Sequence, residues 1–457
     1  MELKLEMITC DVLIIGGGPA GGVAAMTAKN NYPDKEILVI RECEQQLVPC
    51  AIPYIFGPTL GSSEKNISSC EQGMKMGIKG LIGKVEKVDI KEKTAYSDHH
   101  AITFDKLIFA TGSTPFVHTA LESASHLKGV FTIPKNKILI DELKTYIEDK
   151  QTITIVGSGF IGIEMGMELA LSGKKVTIIG GSTQVLKAAF DVELALEAEA
   201  IIRNAGITLE MGEYVDTIVA NGESAIGVQL CSGRVIDSEV IILATGYKPN
   251  TSLAHDAGLK LARYGGIWVD EYMRTANKDI FAVGDCAARR EFITREPSKV
   301  MLASTSAAEG RTAGNSLYKL EYLKGFNGTI AIFSTVIGDI VFSSAGLTED
   351  QAKCACIDIV TGTFQGMNRH PASIPGATKQ SVKLVAMRHS GQIIGGQIIG
   401  GVESGEMINL IGLVIESKMT VFSLLSLQIA TQPLLTSAPT SYPLLKAAEN
   451  VNLAMQK

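Results

Sequence analysis

The chain has 457 residues, 46% hydrophobic and 20% charged, with 46 glycines and a formal net charge of −6. That length exceeds what one hydrophobic core sustains, so about three domains are expected. The composition excludes a disordered chain or a disulfide scaffold, and the acidic balance excludes nucleic-acid binding, which needs clustered Lys and Arg to displace counterions.

Eight cysteines lie scattered without a regular framework, as expected where thiols stay reduced, and this favours the cytoplasm. Met1 to Thr9 carry no leader pattern, and no apolar run reaches the ~18–20 residues that a membrane helix needs. The expectation is a soluble protein with no membrane or nucleic-acid partner.

In chain order, Cys10 to Ile15 reads as a buried strand. Gly16-Gly-Gly-Pro-Ala-Gly-Gly22 is a turn into a small-residue helix over Val23 to Asn30, and Glu36 to Ile40 is the second strand of a βαβ unit. In Gly16-x-Gly18-x-x-Gly21 the first glycine permits the tight turn, the second admits a pyrophosphate to the backbone, and the third lets helix and strand pack closely. Pro19 and Ala20 lie within that turn. The helix start offers unpaired N–H groups and a positive dipole end to phosphate. An acidic residue is expected about 20 residues on to bind ribose hydroxyls; Glu42 is the choice over Glu44.

The same grammar returns in the strand Thr152 to Val156, the loop Gly157-x-Gly159-x-x-Gly162, a helix through Leu171 and the strand Lys175 to Ile179. Phe160 and Ile161 lie in this second loop and Glu164 follows it. Here the acidic partner is missing: the strand runs into Gly180-Gly181-Ser182, so neither NADH nor NADPH is selected by charge. Each half closes on an echo, Leu107-Ile-Phe-Ala110-Thr111-Gly112 and Ile242-Leu-Ala-Thr-Gly246, which points to internal duplication. A further apolar strand stops at Gly284-Asp285. From Thr329 the pattern changes to short β-rich runs, with Ile330 to Thr335 the first, a hairpin at Val385–Gly395 turning at Ser390-Gly391, and helices from Gly405. Cys354 and Cys356 read as two thiols on one face of a strand, and no metal site is expected because two further ligands are missing nearby.

These motifs, in this order, resemble the FAD-dependent pyridine nucleotide-disulfide oxidoreductase family over nearly the whole chain. The resemblance implies an α/β fold with two Rossmann-like dinucleotide-binding domains of the glutathione reductase-like kind and an α+β C-terminal dimerisation domain. It divides the chain into an FAD domain of residues 1–114 and 247–328, an NAD(P) domain of 115–246, and a dimerisation domain of 329–457. FAD is then expected at Gly16, Gly18, Pro19, Ala20, Gly21, Glu42, Ala110, Thr111, Gly112, Gly284, Asp285, Ala303 and Thr305. Asp285 would hold the ribityl chain, and Lys299 to Gly314 would form a helix beneath the ring system. NADH or NADPH is expected at Gly157, Gly159, Phe160, Ile161, Gly162, Glu164, Gly180 and Gly246, with Phe160 placed either as a cover over the flavin face or as ordinary packing.

Val48-Pro-Cys50-Ala-Ile-Pro-Tyr-Ile55 decides the subgroup. Dithiol members carry a second cysteine five positions on, and here that position is Ile55. The chain therefore resembles the single-cysteine branch: coenzyme A-disulfide reductases, NADH oxidases and peroxidases, and polysulfide or persulfide reductases. Pro49 and Pro53 bracket a helix start at Ala51 to Tyr54, just after the thiol. Cys43 is a weaker candidate, as a resolving thiol. In the tail, Gln432-Pro433 stands where dithiol reductases present an acid–base histidine, and glutamine cannot shuttle protons. The expected activity is an NAD(P)H oxidoreductase that passes electrons through flavin and Cys50 to a disulfide, persulfide, polysulfide, peroxide or oxygen, in a homodimer. The alternatives are a reductase of a small electron-transfer protein, or a non-catalytic NAD(P)H-sensing flavoprotein.

Overall fold

The computed structural model describes residues 5–320 and 324–457, so positions 1–4 and 321–323 of the expected FAD domain lie outside the described residues. The chain opens with strand β1 (Glu6–Ile15), helix α1 (Pro19–Asn31) and strand β2 (Ile37–Arg41). Helix α1 starts four residues before the expected Val23, because Pro19 takes the first helical position, where its fixed φ suits the helix and no N–H is lost. Strand β3 (His100–Phe109) pairs parallel with β1 from Glu6↔His100 to Ile15↔Phe109. Lys79–Ile82 joins the outer side of β2.

The strand that completes this sheet, Ile280–Ala282, pairs parallel with β3 and arrives only after the second nucleotide-type unit has been built. The parallel strands read as continuous apolar runs because helices and loops cover both faces: Val12, Leu13, Ile14, Leu107, Ile108 and Phe109 are all fully buried.

The second unit has strand β4 (Thr152–Val156), helix α2 (Phe160–Leu171) and strand β5 (Lys175–Gly180). Its sheet runs in the order Thr208–Met211, β5, β4, Val240–Leu243, Val130–Thr132. Two short antiparallel strands, Ser113–Pro115 and Tyr247–Pro249, pair where the chain leaves the first unit and returns to it.

Helix α3 (Ala303–Ser316) lies against α1 with almost no side-chain spacer. A Cβ on Gly310 would stand 2.7 Å from the Ala20 carbonyl oxygen, and one on Gly314 would stand 2.8 Å from that of Ala24. The expected helix over Lys299 to Gly314 begins four residues later, with Leu302 still extended. The C-terminal section is a five-stranded antiparallel sheet, in the order Phe333–Ile337, Ile340–Gly346, Ile393–Gly400, Lys379–Met387, Ile359–Met367, backed by the helices Ser404–Glu416 and Pro443–Met455. The hairpin pairs Val385 with Gly395 and turns at Gly391, whose φ is +66°.

Two local expectations fail. The first C-terminal strand spans Phe333–Ile337 rather than Ile330 to Thr335. Cys354 and Cys356 do not share a strand: Cys354 ends the helix Glu349–Cys354, and Cys356 sits in the turn beyond it at φ +56°. Thr348 and Gln351 start that helix with a reciprocal capping box, which satisfies the first backbone N–H groups of a helix where a strand was expected.

Candidate active site and its two nucleotide loops

Both glycine loops are built on the same close approach. A Cβ on Gly16 would lie 2.1 Å from the Ala110 carbonyl oxygen, and one on Gly157 would lie 2.2 Å from that of Ala244, with φ at +110° and +126°. Each loop thus presses against the small-residue turn that ends the neighbouring strand, which is why Ala110-Thr111-Gly112 and Ala244-Thr245-Gly246 echo one another. Gly21 and Gly162 close the same turns, since a Cβ on either would stand 2.0 Å from the carbonyl oxygen of the loop's own first glycine. Gly18 and Gly159 are the helix N-caps. Neither gives a side-chain cap, and nothing lies within 4 Å of a Cβ built on them. Both helix starts therefore offer unpaired N–H groups to an open space, the arrangement that suits phosphate.

At the end of β2 the expected Glu42 is exposed. Its neighbour Arg41, which sequence reasoning passed over, is the more telling group. Its Nε is buried without a hydrogen-bond partner, and its Cδ lies 3.1 Å from a Cβ built on Gly17. A guanidinium with an unused buried donor beside the first glycine loop is a ready partner for a phosphate oxygen.

The end of β5 is closed instead. A Cβ on Gly180 would meet the Met211 side chain at 2.1 Å and Ser158 Oγ at 2.3 Å, and one on Gly181 would meet the Tyr214 ring at 2.4 Å. A side chain at either position would require Met211, Ser158 or Tyr214 to move aside.

Asp285 follows Ile280–Ala282 in a short 3-10 turn. Its Oδ2 accepts hydrogen bonds from Ser113 Oγ and Lys135 Nζ, both at 2.7 Å. Burial pushes its carboxyl up, but Lys135, Ser113 and Arg289 more than offset this and hold it below the usual carboxylate range. Gly284, just before it, has φ +75° and lies against the first turn of α1: a Cβ there would be 2.7 Å from that of Ala20. Thr111 and Asn250 tie the first echo to the returning chain through two reciprocal bonds, Thr111 Oγ1 to the Asn250 carbonyl at 2.6 Å and Asn250 Nδ2 to the Thr111 carbonyl at 2.9 Å. In the first turn of α3, Ala303 is partly exposed, and Thr305 shares a buried hydroxyl contact of 2.9 Å with Thr329.

Cys50 sits inside a short 3-10 helix, Pro49–Ala51, rather than ahead of one, and a second such helix follows at Pro53–Phe56. Its residue surface is exposed. The protein packed around the rest of the thiol and the Glu164 carboxylate push it above the ordinary thiol value, while Lys135 pulls it down. Glu164 lies on α2, its Oε1 accepting from Thr335 Oγ1 at 2.8 Å, and burial pushes its carboxyl up to about 7.

One turn further along α2, Glu168 accepts from Thr59 Oγ1 at 2.5 Å and from Thr59 N at 3.3 Å. Helix α2 thus both begins at the second glycine loop and holds down the segment that carries Cys50. Phe160, at the start of α2, stacks on Phe333 with ring centroids 5.0 Å apart and meets Phe190 edge-on, so its face is engaged by the C-terminal sheet.

Of the remaining candidates, Cys43 accepts a hydrogen bond from Asn136 Nδ2 at 3.5 Å. Gln432 forms a local turn with Thr436, and His370 reaches this tail, its Nδ1 lying 2.9 Å from the Thr436 carbonyl. Three carboxylates, Asp191, Glu193 and Glu349, converge elsewhere, around the Lys383 ammonium at 2.8, 2.5 and 2.8 Å. That ammonium supplies the cationic partner the cluster requires. Among the described residues no helix is long and apolar enough to cross a membrane.

Residues 10–310 match the family described as pyridine nucleotide-disulphide oxidoreductase, and residues 332–442 match that family's dimerisation domain. The chain belongs to this family. It is an oxidoreductase of pyridine nucleotides that works with FAD.

Three similar proteins narrow the class. An NAD(P)H coenzyme A polysulfide/persulfide reductase of Pyrococcus horikoshii is 30% identical over 402 residues, 85% of this chain and 87% of that protein. An NADH oxidase of Methanocaldococcus jannaschii is 28% identical over 440 residues, 92% and 94% of the two chains. The solved structure of reduced Bacillus anthracis CoADR-RHD superposes with a TM-score of 0.91 at 26% identity, covering 98% of this chain and 81% of that one.

The first loop fits FAD on this structure's own terms: the open helix start at Gly18, the unpartnered Nε of Arg41 and the anchored carboxylate of Asp285 are what a diphosphate and a polyol chain require.

Proposed function

We propose that this protein is a single-cysteine NAD(P)H oxidoreductase of the cytoplasm that reduces sulfur compounds, namely persulfides, polysulfides or low-molecular-weight disulfides, at Cys50. Bound FAD supplies the two-electron transfer between a nicotinamide hydride and that thiol. Gly16, Gly18, Pro19, Ala20, Gly21 and Arg41 hold its diphosphate, Ala110 to Gly112 line its path, and Asp285 accepts from its polyol hydroxyls. Gly157, Gly159, Ile161 and Gly162 hold the nicotinamide diphosphate, and the uncharged end of β5 selects neither NADH nor NADPH by charge. In this reading residues 1–114 with 247–328 are the FAD domain, 115–246 the nicotinamide domain, and 329–457 pair two chains into a homodimer.

One observation carries the proposal: Cys50 lies exposed in the 3-10 turn Pro49–Ala51, and the segment that follows it is bonded at Thr59 to Glu168 of α2, the same helix whose N-terminus faces the second nucleotide loop. The thiol is thereby tied to the nicotinamide site by one rigid element. Glu164, buried and pushed up to about 7, stands in the electrostatic field of Cys50 as a group able to hold or release a proton near neutral pH.

Replacing Cys50 with serine tests the reading. NAD(P)H-dependent reduction of polysulfide or a disulfide should fall by about 100-fold or more, while slow oxygen consumption, which needs no thiol, persists. Unchanged sulfur reduction by Cys50→Ser would remove the thiol from the reaction, whereas oxygen consumption with no turnover of any sulfur compound by the wild type would leave an oxidase as the reading, the activity that names the Methanocaldococcus jannaschii relative.

A further inference from the structure

Beneath the Gly284-Asp285 turn lies an ion pair with no surface exposure to speak of. Glu309, on the inward face of α3, is 0% exposed and Arg289 is 7% exposed. The Glu309 Oε2 accepts the Gly284 N–H at 2.8 Å and lies 3.4 Å from Arg289 Nη2. Arg289 in turn donates through Nη2 to the Gly284 carbonyl and through Nη1 to the Val300 carbonyl at 2.8 Å.

Both polar groups of one glycine residue are therefore gripped from the same side, one by each member of the pair. Gly284 needs such a grip. Its φ of +75° is open to many conformations, glycine being the most freely rotating residue, and the direction of Asp285 depends on it. Arg289 Nη1 also approaches Asp285 Oδ1, at 3.9 Å.

The desolvation of a buried charged pair can exceed its Coulombic gain, and well-packed hydrophobic residues often serve a purely structural end as well. Burial pushes the Glu309 carboxyl up to about 7, with Arg289 acting against it. One oxygen, Oε1, has no hydrogen-bond partner among the described residues. The arrangement is costly, and what it specifies is the orientation of a single peptide.

We infer that Glu309 and Arg289 are positioning residues for the FAD site, clamping the Gly284 peptide so that the Asp285 carboxylate is aimed at the cofactor before it binds. The inference rests on the reading that Asp285 contacts FAD.

The test measures the dissociation constant of FAD by titrating stripped protein, using variants that separate reach from charge. Glu309→Gln keeps an acceptor at the distance of Gly284 N–H and places its amide nitrogen where the carboxylate oxygen is unpartnered, so FAD affinity should stay within about threefold of wild type. Glu309→Asp keeps the charge but draws the acceptor back by one methylene, and FAD affinity should fall by about tenfold or more. In an Asp285→Ala background the Glu309→Asp penalty should shrink to less than about threefold, because there is no longer a carboxylate to aim.

Equal affinity in Glu309→Asp and wild type, or an undiminished penalty in the Asp285→Ala background, would overturn the clamp. If Asp285→Ala alone binds FAD as wild type does, the assignment of Asp285 itself fails, a distinct outcome. Both Glu309 variants are conservative; if Glu309→Asp does not fold, loss of the visible circular dichroism of bound FAD in Arg289→Lys, with Glu309→Gln unchanged, tests the same clamp, and an unaltered Arg289→Lys spectrum counts against it.

Discussion

The two glycine loops share a backbone and differ in everything that surrounds it. In both, a methyl on the first glycine would run into a carbonyl oxygen about two ångströms away, at Ala110 in one and Ala244 in the other. Beyond that common turn, the first loop faces an arginine with a buried, unused donor and a carboxylate fixed by two bonds. The second ends against Met211, Ser158 and Tyr214, with no charged side chain filling the position of Gly180. One duplicated fold has thus become a tight, charge-lined site suited to a resident cofactor and a neutral one suited to a nucleotide that arrives and leaves.

The comparison can be broken first at the shared turn. Gly157→Ala should raise the KM for NADH by about 100-fold or more, through the steric conflict with Ala244 and the unfavourable φ, while the protein stays yellow. Gly16→Ala should instead yield protein without flavin, read from the visible spectrum. Equal loss of flavin in both variants would mean that the loops are not functionally separate.

A finer contrast concerns charge. Arg41→Met should weaken FAD binding by about tenfold, as expected when a charge-assisted phosphate contact is lost, with the KM for NADH unchanged. At the second loop, wild-type kcat/KM for NADH and NADPH should agree within about tenfold, since a strong preference needs a carboxylate or an arginine at the ribose. A preference well beyond that range would show that a residue outside β5 reads the 2′ position.

The smallest expected effect is at the thiol. Glu164 raises the Cys50 titration, so Glu164→Gln should move the midpoint of Cys50 alkylation, followed by peptide mass spectrometry, to lower pH. The sign follows from removing a negative charge that disfavours the thiolate. A midpoint that moves upward would contradict the field described here.

How much of this was legible in the chain depends on range. The two loops and their echoes at Gly112 and Gly246 could be read because each is a short motif whose spacing carries its own physics, whereas Cys50 and Asp285 were singled out through the resemblance to the family. Arg41 sat beside the residue that was chosen, Glu42, and only burial in the fold, with its Nε unpartnered and its side chain packed over Gly17, distinguishes the two. Lys135, Thr335 and Glu309 carry no local signature; each matters through a partner far along the chain, as Lys135 does for Asp285 and Thr335 for Glu164. The helix that ends at Cys354 was legible in the chain, since Thr348-x-x-Gln351 announces a helix start.

Rapid mixing under anaerobic conditions tests the central claim most directly. NADH or NADPH should bleach the flavin band of the purified protein, and added polysulfide should restore it in wild type but not in Cys50→Ser. A protein that binds no FAD, or a Cys50→Ser variant whose band returns with polysulfide as quickly as the wild type's, would contradict the account.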